Sequence, residues 1–236
     1  MSIAVYNGDD STIRTLAEFG ANVNTLDENG NTPMSIAVQE GHDSTIRTLA
    51  ELGANVNTPS YIGSTPTYIA AAHGHDRTIR TLAELGANVN TPKTRNGTTP
   101  TYIAALQGHD SAIRTLVELG ANVNTPANNG VTPTYVAAGQ GHDSTIRTLA
   151  ELGANVNTPK NSGETPIIIA VKKNNAETVK LLIKLGADIK HVDNNGNTVF
   201  DYANPDMADT INRILMKEEL KDVVKKKKKA TNEMKV

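Results

Sequence analysis

GHDSTIRTLAELGANVNTP, residues Gly41 to Pro59, returns letter for letter from Gly141 to Pro159. Near-copies lie between and around the two. The pair Thr-Pro falls at Thr32-Pro33, Thr65-Pro66, Thr99-Pro100, Thr132-Pro133 and Thr165-Pro166, in steps of 33, 34, 33 and 33 residues. GANVN begins at Gly20, Gly53, Gly86, Gly120 and Gly153, and GADIK at Gly186. A period in this range marks a solenoid, in which each unit buries its apolar face only against its neighbours.

The unit Thr58 to Asn90 shows how one copy is expected to fold. Thr65 is a candidate N-cap, and Pro66 occupies the first helical position, where its missing N–H is harmless. The first helix is predicted from Pro66 to about His73 and ends at Gly74. His75 or Asp76 opens a second helix, with Ile79, Leu82, Ala83 and Leu85 at helical spacing. Gly86 closes it in the left-handed conformation. The polar stretch that follows is a turn linking units, so one repeat is two antiparallel helices and a protruding turn.

Composition fits that reading. The chain has 236 residues, no Cys and no Trp, and aromatics make up 3%. Its core is therefore built from Ile, Leu, Val and Ala. The absence of Cys excludes disulfides, thiolate metal sites and cysteine nucleophiles, and leans toward a reducing, intracellular compartment. No apolar run approaches the length of a membrane span, and MSIAVYNGDD lacks the pattern of a secretion signal. The formal charge of −2 hides an asymmetry: KDVVKKKKKATNEMKV, residues 221–236, carries seven Lys against one Asp and one Glu, a net of +5, which leaves −7 on the body. A body of that sign does not attract nucleic-acid phosphates.

The pattern resembles the ankyrin repeat family. The family signature is a D-x-x-G-x-T-P-L-H-x-A-A run, a G-H opening the second helix, then L-x-x-G-A-D-x-N. Here Asp27-Glu28-Asn29-Gly30-Asn31-Thr32-Pro33 opens one unit, and Thr65-Pro66, Ala70-Ala71, Gly74-His75, Leu82 and Gly86-Ala87 match in the next. The resemblance covers roughly residues 1–220 and implies an all-α solenoid of stacked helix-turn-helix units with short β-turn or hairpin loops. The chain departs from the pattern in places. Leu-His after Thr-Pro becomes Thr67-Tyr68, Thr101-Tyr102 and Thr134-Tyr135, and the second Leu of the paired Leu-Leu is read as Ala50, Ala83 or Ala150. Both changes shed buried apolar volume; the Tyr side chains restore part of it. Leu181-Leu182 and Gly186-Ala187-Asp188 return toward the family pattern.

The expected organisation is a partial repeat over 1–24, full repeats over 25–57, 58–90, 91–124, 125–157 and 158–190, a capping repeat over 191–220, and a basic tail over 221–236. Met1-Ser2-Ile3-Ala4-Val5 copies Met34-Ser35-Ile36-Ala37-Val38. The chain thus starts inside a first helix, either as a truncated cap or as part of a longer product.

Comparing the copies with each other locates the candidate site. Asp43, Asp76, Asp110 and Asp143 agree, as do Arg47, Arg80, Arg114 and Arg147. Two zones change instead. One precedes Gly-His and comprises Gln39, Glu40, Ala72, His73, Leu106, Gln107 and Gln140, with Lys172 and Lys173 in the last full unit. The other is the turn tips: Glu28, Asn29 and Asn31; Tyr61, Ile62 and Ser64; Arg95, Asn96 and Thr98; Asn128, Asn129 and Val131; Asn161 and Ser162. The resemblance implies that these zones lie together on a concave face that holds a partner protein. Drift at the surface is the plain alternative. Ser44, Thr45, Arg47 and Glu51, expected to be equally exposed, have mostly not drifted, which favours selection on the concave face. Tyr61 and Ile62 are the leading anchors; the competing role is packing against the neighbouring turn.

Other motifs carry no chemistry of their own. His42, His75, His109 and His142 recur one per unit, too far apart for shared metal ligation, and helix capping is the expected role. His73 and His75 lack a third ligand. His-Asp-Ser cannot converge as a catalytic triad, because adjacent residues diverge along a chain. Asp43, Arg47 and Glu51 at i, i+4, i+8 suggest pairing along one helix, against a periodic polymer docking on the Arg ladder. Leu49 with Asn57 and Leu82 with Asn90 resemble asparaginyl hydroxylase targets; bonding to the turn backbone is the ordinary role of such an Asn. Lys225, Lys226, Lys227, Lys228 and Lys229 fit a solvated tail, a nuclear import signal, adhesion to an acidic membrane or docking to an acidic partner.

The sequence thus predicts a monomeric, non-catalytic protein-binding scaffold or adaptor, cytoplasmic, with nuclear import open through the Lys run. It predicts no cofactor, no metal, no nucleic acid on the repeat body and no transmembrane segment. The alternatives are a targeting fragment of a larger multidomain protein, whether an enzyme or a secreted intracellular effector, and a nuclear or membrane-surface factor led by the tail.

Overall fold

The computed structural model describes residues 1–217 and Leu220. Two interleaved series of helices run through the chain. The first-helix series is α1 (Ser2–Tyr6), α3 (Pro33–Glu40), α5 (Pro66–His73), α7 (Pro100–Gln107), α9 (Pro133–Gln140), α11 (Pro166–Lys172) and α13 (Val199–Tyr202). The second series is α2 (Asp10–Glu18), α4 (Asp43–Glu51), α6 (Asp76–Glu84), α8 (Asp110–Glu118), α10 (Asp143–Glu151) and α12 (Ala176–Lys184), followed by α14 over residues 205–217. Among the described residues there is no strand; the connections are turns.

Local sequence explains each helix. The hydroxyls of Thr32, Thr65, Thr99 and Thr132 accept from the backbone N–H three residues on, with Pro at the next position. The same helices stop at Gly41, Gly74, Gly108 and Gly141, whose φ of 71°, 70°, 77° and 76° only glycine adopts without strain. Burial explains the stack. Ile46 and Leu49, with their copies Ile79, Leu82, Ile113, Leu116, Ile146 and Leu149, are fully buried. On the first helices the buried pairs are Ala70-Ala71, Ala104-Ala105 and Ala137-Ala138. Side chains this small let the first helices approach closely, and they pack more tightly on one another than the second helices do. Neighbouring units are thus closest along the first helices.

Four polar ladders run across the unit boundaries, and three of them revise the sequence reading. The first is the Arg ladder. Arg14, Arg47, Arg80 and Arg114 do not pair along their own helices; they reach Glu51, Glu84, Glu118 and Glu151 of the following unit at 2.6, 2.5, 2.5 and 2.5 Å. Each Arg reaches a Glu one helical turn beyond its own counterpart in the next unit, 37 or 38 residues away. Such half-exposed pairs are individually modest, but Arg14, Arg80 and Arg114 also donate to Thr48, Thr115 and Thr148 at 3.2 Å. Those Thr are buried and stand in register with Leu181. The Leu of the family pair is thus replaced by Thr48, Thr81, Thr115 and Thr148, whereas Ala50, Ala83 and Ala150 align with Ile183.

The second ladder is histidine. His42, His75, His109 and His142 occupy N-cap positions, yet none caps with its side chain. Nε2 of each donates to a carbonyl in the last turn of the preceding unit's first helix: Tyr6, Gln39, Ala72 and Leu106, at 3.0, 3.0, 3.1 and 3.1 Å. Those carbonyls lack partners within their own helix. In this second series Asp9, Asn175 and Asn204, near the two ends of the array, cap their own helices with their side chains.

The third ladder is asparagine. Nδ2 of Asn57, Asn90, Asn124 and Asn157 donates to the carbonyl of Gly86, Gly120, Gly153 and Gly186, at 3.0–3.3 Å. Each Oδ1 accepts a backbone N–H from the same neighbouring unit. These Asn bond the next unit's backbone rather than only their own turn.

The fourth ladder joins Thr45, Thr78, Thr145 and Thr178 to Asp10, Asp43, Asp110 and Asp143 of the preceding unit, at 2.6–2.8 Å. It has one gap. Ala112 stands where Thr belongs, fully buried like Thr45 and Thr145. We predict that Ala112→Thr restores the bond to Asp76 and stabilises the chain by about 1 kcal/mol. A urea midpoint that stays or falls would show that the ladder does not support the stack.

Candidate partner-docking face

The turn tips are themselves stacked. Gly30, Gly63, Gly97, Gly130 and Gly163 take φ of 70–83° inside each turn. Backbone N–H groups of Tyr61, Thr94, Asn128, Asn161 and Asn194 each donate to the carbonyl of the turn before, at 3.0–3.3 Å. A Cβ on Gly30 would come within 2.5 Å of Tyr61. The row of turns is thus a fixed edge, and beside it run the last turns of the first helices.

Most of the predicted residues reach solvent on this edge. Glu28, Asn29, Tyr61, Ile62, Arg95, Asn96, Asn128, Asn129, Asn161 and Ser162 are exposed on the turns, and Gln39, His73, Gln107, Gln140 and Lys173 on the helix ends. Tyr61 does pack on Gly30 of the neighbouring turn, yet stays 74% exposed, with Ile62 at 49%. Glu40, Ala72 and Leu106 are half-buried.

Three predicted residues do not belong to the surface. Ser64, Thr98 and Val131 are 3%, 4% and 7% exposed, because the last turn residue points inward just before the Thr-Pro helix start. Asn31 is half-buried and tied to Asp27. Lys172 is exposed, but its ammonium is engaged by Glu164 and lies 4.5 Å from the Tyr202 ring centroid. The contrast between constant and variable positions also changes meaning. Thr45 is buried, and Arg47 and Glu51 belong to the Arg ladder, so stacking explains their constancy.

The sequence reading took the recurring tyrosines as core-filling area and did not place them at the site. Tyr68, Tyr102 and Tyr135 recur after Thr-Pro, a signal visible as Thr-Tyr in three successive units. Each ring lies beside the next unit's turn. Lys93 stands 5.5 Å from the Tyr68 centroid, and Lys160 stands 5.4 Å from that of Tyr135. The Tyr135 hydroxyl donates to Glu164 at 3.0 Å, and Glu164 also receives Lys160 and Lys172. Burial alone raises the Glu164 pKa, but hydrogen bonds from Lys160, Lys172 and Tyr135 outweigh it and lower the value from 4.5 to about 2. Burial and the adjacent Glu164 push the Tyr135 phenol up.

Open grooves lie on this side. One, of about 310 Å³, is lined by Ile3, Tyr6, Ile36, Gln39 and Glu40 among others; another, of about 280 Å³, by Arg95, Asn96, Tyr102, Ala127, Asn128 and Asn129 among others; and one of about 250 Å³ by Tyr61 and the turn from Leu26 to Gly30. Charge grades along the face, from Asp27, Glu28 and Glu40 at one end to Lys160, Lys172 and Lys173 at the other. The His73 and His75 rings stack 5.7 Å apart. Among the described residues no group of three or more His, Cys, Asp or Glu is placed to hold a metal, and no helix is long and apolar enough to cross a membrane. Lys225 to Lys229 lie outside the described residues.

The chain matches the family model described as ankyrin repeats (3 copies) over residues 1–93 and 91–160, and that described as ankyrin repeats (many copies) over residues 149–203. Among solved structures it is similar to the human ASB11 ankyrin repeat domain, with a TM-score of 0.76 and 29% identity over 86% of this chain and 91% of that one. It is also similar in fold to the ankyrin repeat domain of Bcl-3, a unique member of the IkappaB protein family, with a TM-score of 0.79 and 22% identity over 89% of this chain and 96% of that one. No curated protein matches.

The Glu164 cluster yields a pH prediction. A carboxylate whose folded pKa lies below its unfolded one adds stability above the unfolded value and loses it as pH falls toward the folded value. The drop from 4.5 to about 2 corresponds to about 3 kcal/mol. The stability gap between the parent and Glu164→Gln is therefore expected to be constant above about pH 5 and to close as pH falls below it. A gap that holds its size down to the acid limit of folding would refute the lowered carboxylate.

Proposed function

The chain belongs to the ankyrin repeat family, and from that premise we propose that it is a non-catalytic scaffold or adaptor that holds a partner protein on its concave face. Ankyrin repeat domains generally mediate protein–protein interaction. The observation that carries the finer reading is a division among the chain's own copies. Side chains that repeat through the middle units, such as His75, Asn57 and Arg80, are consumed by bonds to neighbouring units. Exposed side chains that differ from copy to copy, such as Gln39, Tyr61, His73, Arg95 and Gln107, lie on the turn tips and first-helix ends. The recurrent histidines, which would draw attention as catalytic groups, are engaged in the stack. The face is ordered before any partner arrives, so little conformational entropy is lost on docking. Tyr61 and Ile62 supply the aromatic and branched surface that dominates interface energies.

The test is retention from a lysate of the source cells by the immobilised chain. Two variants run beside the parent. One carries Ala at Gln39, Glu40, Tyr61, Ile62, His73, Leu106 and Gln107; the other lacks residues from Lys221 onward. A protein kept by the parent and the tail deletion, and lost from the face variant, is the expected result. Retention by the face variant together with loss from the tail deletion would overturn the proposal and assign binding to the Lys run.

A further inference from the structure

The repeats act as controls for one another, and Tyr102 is the exception in the tyrosine row. In the unit before it, the Tyr68 hydroxyl accepts from Thr98 at 3.4 Å and Lys93 stands over the ring. In the unit after it, the Tyr135 hydroxyl donates to the Glu164 carboxylate and Lys160 stands over the ring. At Tyr102 the corresponding turn positions are Ala127 and Val131. Neither offers a polar side chain, and among the described residues the Tyr102 hydroxyl has no hydrogen-bond partner. The space that Lys and Glu fill one unit later is here the open groove of about 280 Å³. Arg95 also lines that groove, exposed and, among the described residues, without an ion pair.

We propose that this groove takes an aspartate or glutamate side chain from the bound protein, with Tyr102 donating to its carboxylate and Arg95 pairing with it. The template is internal: a phenol and two ammonium groups converge on Glu164 in the next unit, and a phenol and a guanidinium wait here without the carboxylate. A cationic occupant is disfavoured by Arg95. An apolar one would leave the Tyr102 hydroxyl unpaired in a site that partly removes it from water, where unmade bonds are costly. Burial already raises the Tyr102 pKa, so the hydroxyl keeps its proton and remains a donor. The inference rests on the proposed docking of a protein to the concave face and names the chemistry of its recognition.

The test uses a random dodecapeptide display library selected on the full chain. Peptides retained by the parent are expected to be enriched in Asp and Glu. Their affinity is expected to fall about tenfold with Tyr102→Phe or with Arg95→Ala, because a charge-assisted bond is lost in each case. Replacing the responsible acid by its amide is expected to give the same loss, with no further loss on Tyr102→Phe. The variant Ala127→Lys with Val131→Glu copies the next unit's Lys160–Glu164 pair into this one, fills the groove from within, and is expected to abolish acidic-peptide binding. That variant guards against misfolding as an explanation, since the same pair already stands at Lys160 and Glu164. Peptides that respond to the seven-residue face variant but not to Tyr102→Phe, Arg95→Ala or the filled groove would overturn the acidic site while sparing the docking face. Absence of any peptide sensitive to the face variant, to Tyr102→Phe or to Arg95→Ala would overturn both.

Discussion

A bond from one repeat to the next, made at the same height in every unit, is what the rest of the molecule depends on. An isolated pair of helices of eight and nine residues has no opposite face to bury. Stacking supplies that face, but apolar contact alone does not fix how far one unit slides along another. The polar ladders do. His109 ties its unit to the Ala72 carbonyl, Asn90 to Gly120, Arg80 to Thr115 and Glu118, and Thr78 to Asp43. Each bond is short-ranged and directional, so a slip of one residue loses all of them together. This also accounts for the letter-for-letter return of Gly41 to Pro59: residues bonded on both sides must suit two neighbours at once.

The register has a consequence for the surface. Because the constant side chains are spent on neighbours, the turn tips and helix ends are the places where one unit differs from another without disturbing the stack. The backbone ladder between turns holds those tips at fixed spacing. On the proposed reading a partner meets a row of unlike side chains, with Asp27, Glu28 and Glu40 at one end and Lys160, Lys172 and Lys173 at the other. Departures from periodicity become informative for the same reason: Ala112 breaks a structural ladder and sits in the core, whereas Ala127 and Val131 break the tyrosine row and leave a groove beside a phenol and a guanidinium that have no partner among the described residues.

Much of this was legible in the sequence. Thr65, Pro66, Gly74 and Gly86 gave the helix bounds because capping is local, and the period gave the solenoid. What failed was everything that crosses a unit boundary. Arg47 and Glu51 are ideally spaced for each other along the helix, yet Arg47 chooses Glu84, a partner 37 residues away. His75 occupies the N-cap position, but its ring turns toward Gln39 of the preceding unit. Ser64, Thr98 and Val131 look like turn-tip residues in sequence and are buried, since the chain is already turning into the helix. Spacing within one copy does not reveal a contact between copies, and the recurrence of Tyr68, Tyr102 and Tyr135 at the period of about 33 residues does not by itself show which side chains of the next turn they meet.

The central claim is a division of labour between a constant stacking surface and a variable docking face. Amide hydrogen exchange on the chain, free and saturated with a captured partner, addresses it directly. The account predicts added protection on the turn amides around Tyr61, Arg95 and Asn128 and little change on α4, α6, α8 and α10. Added protection confined to those second helices, with the turns exchanging as before, would contradict it.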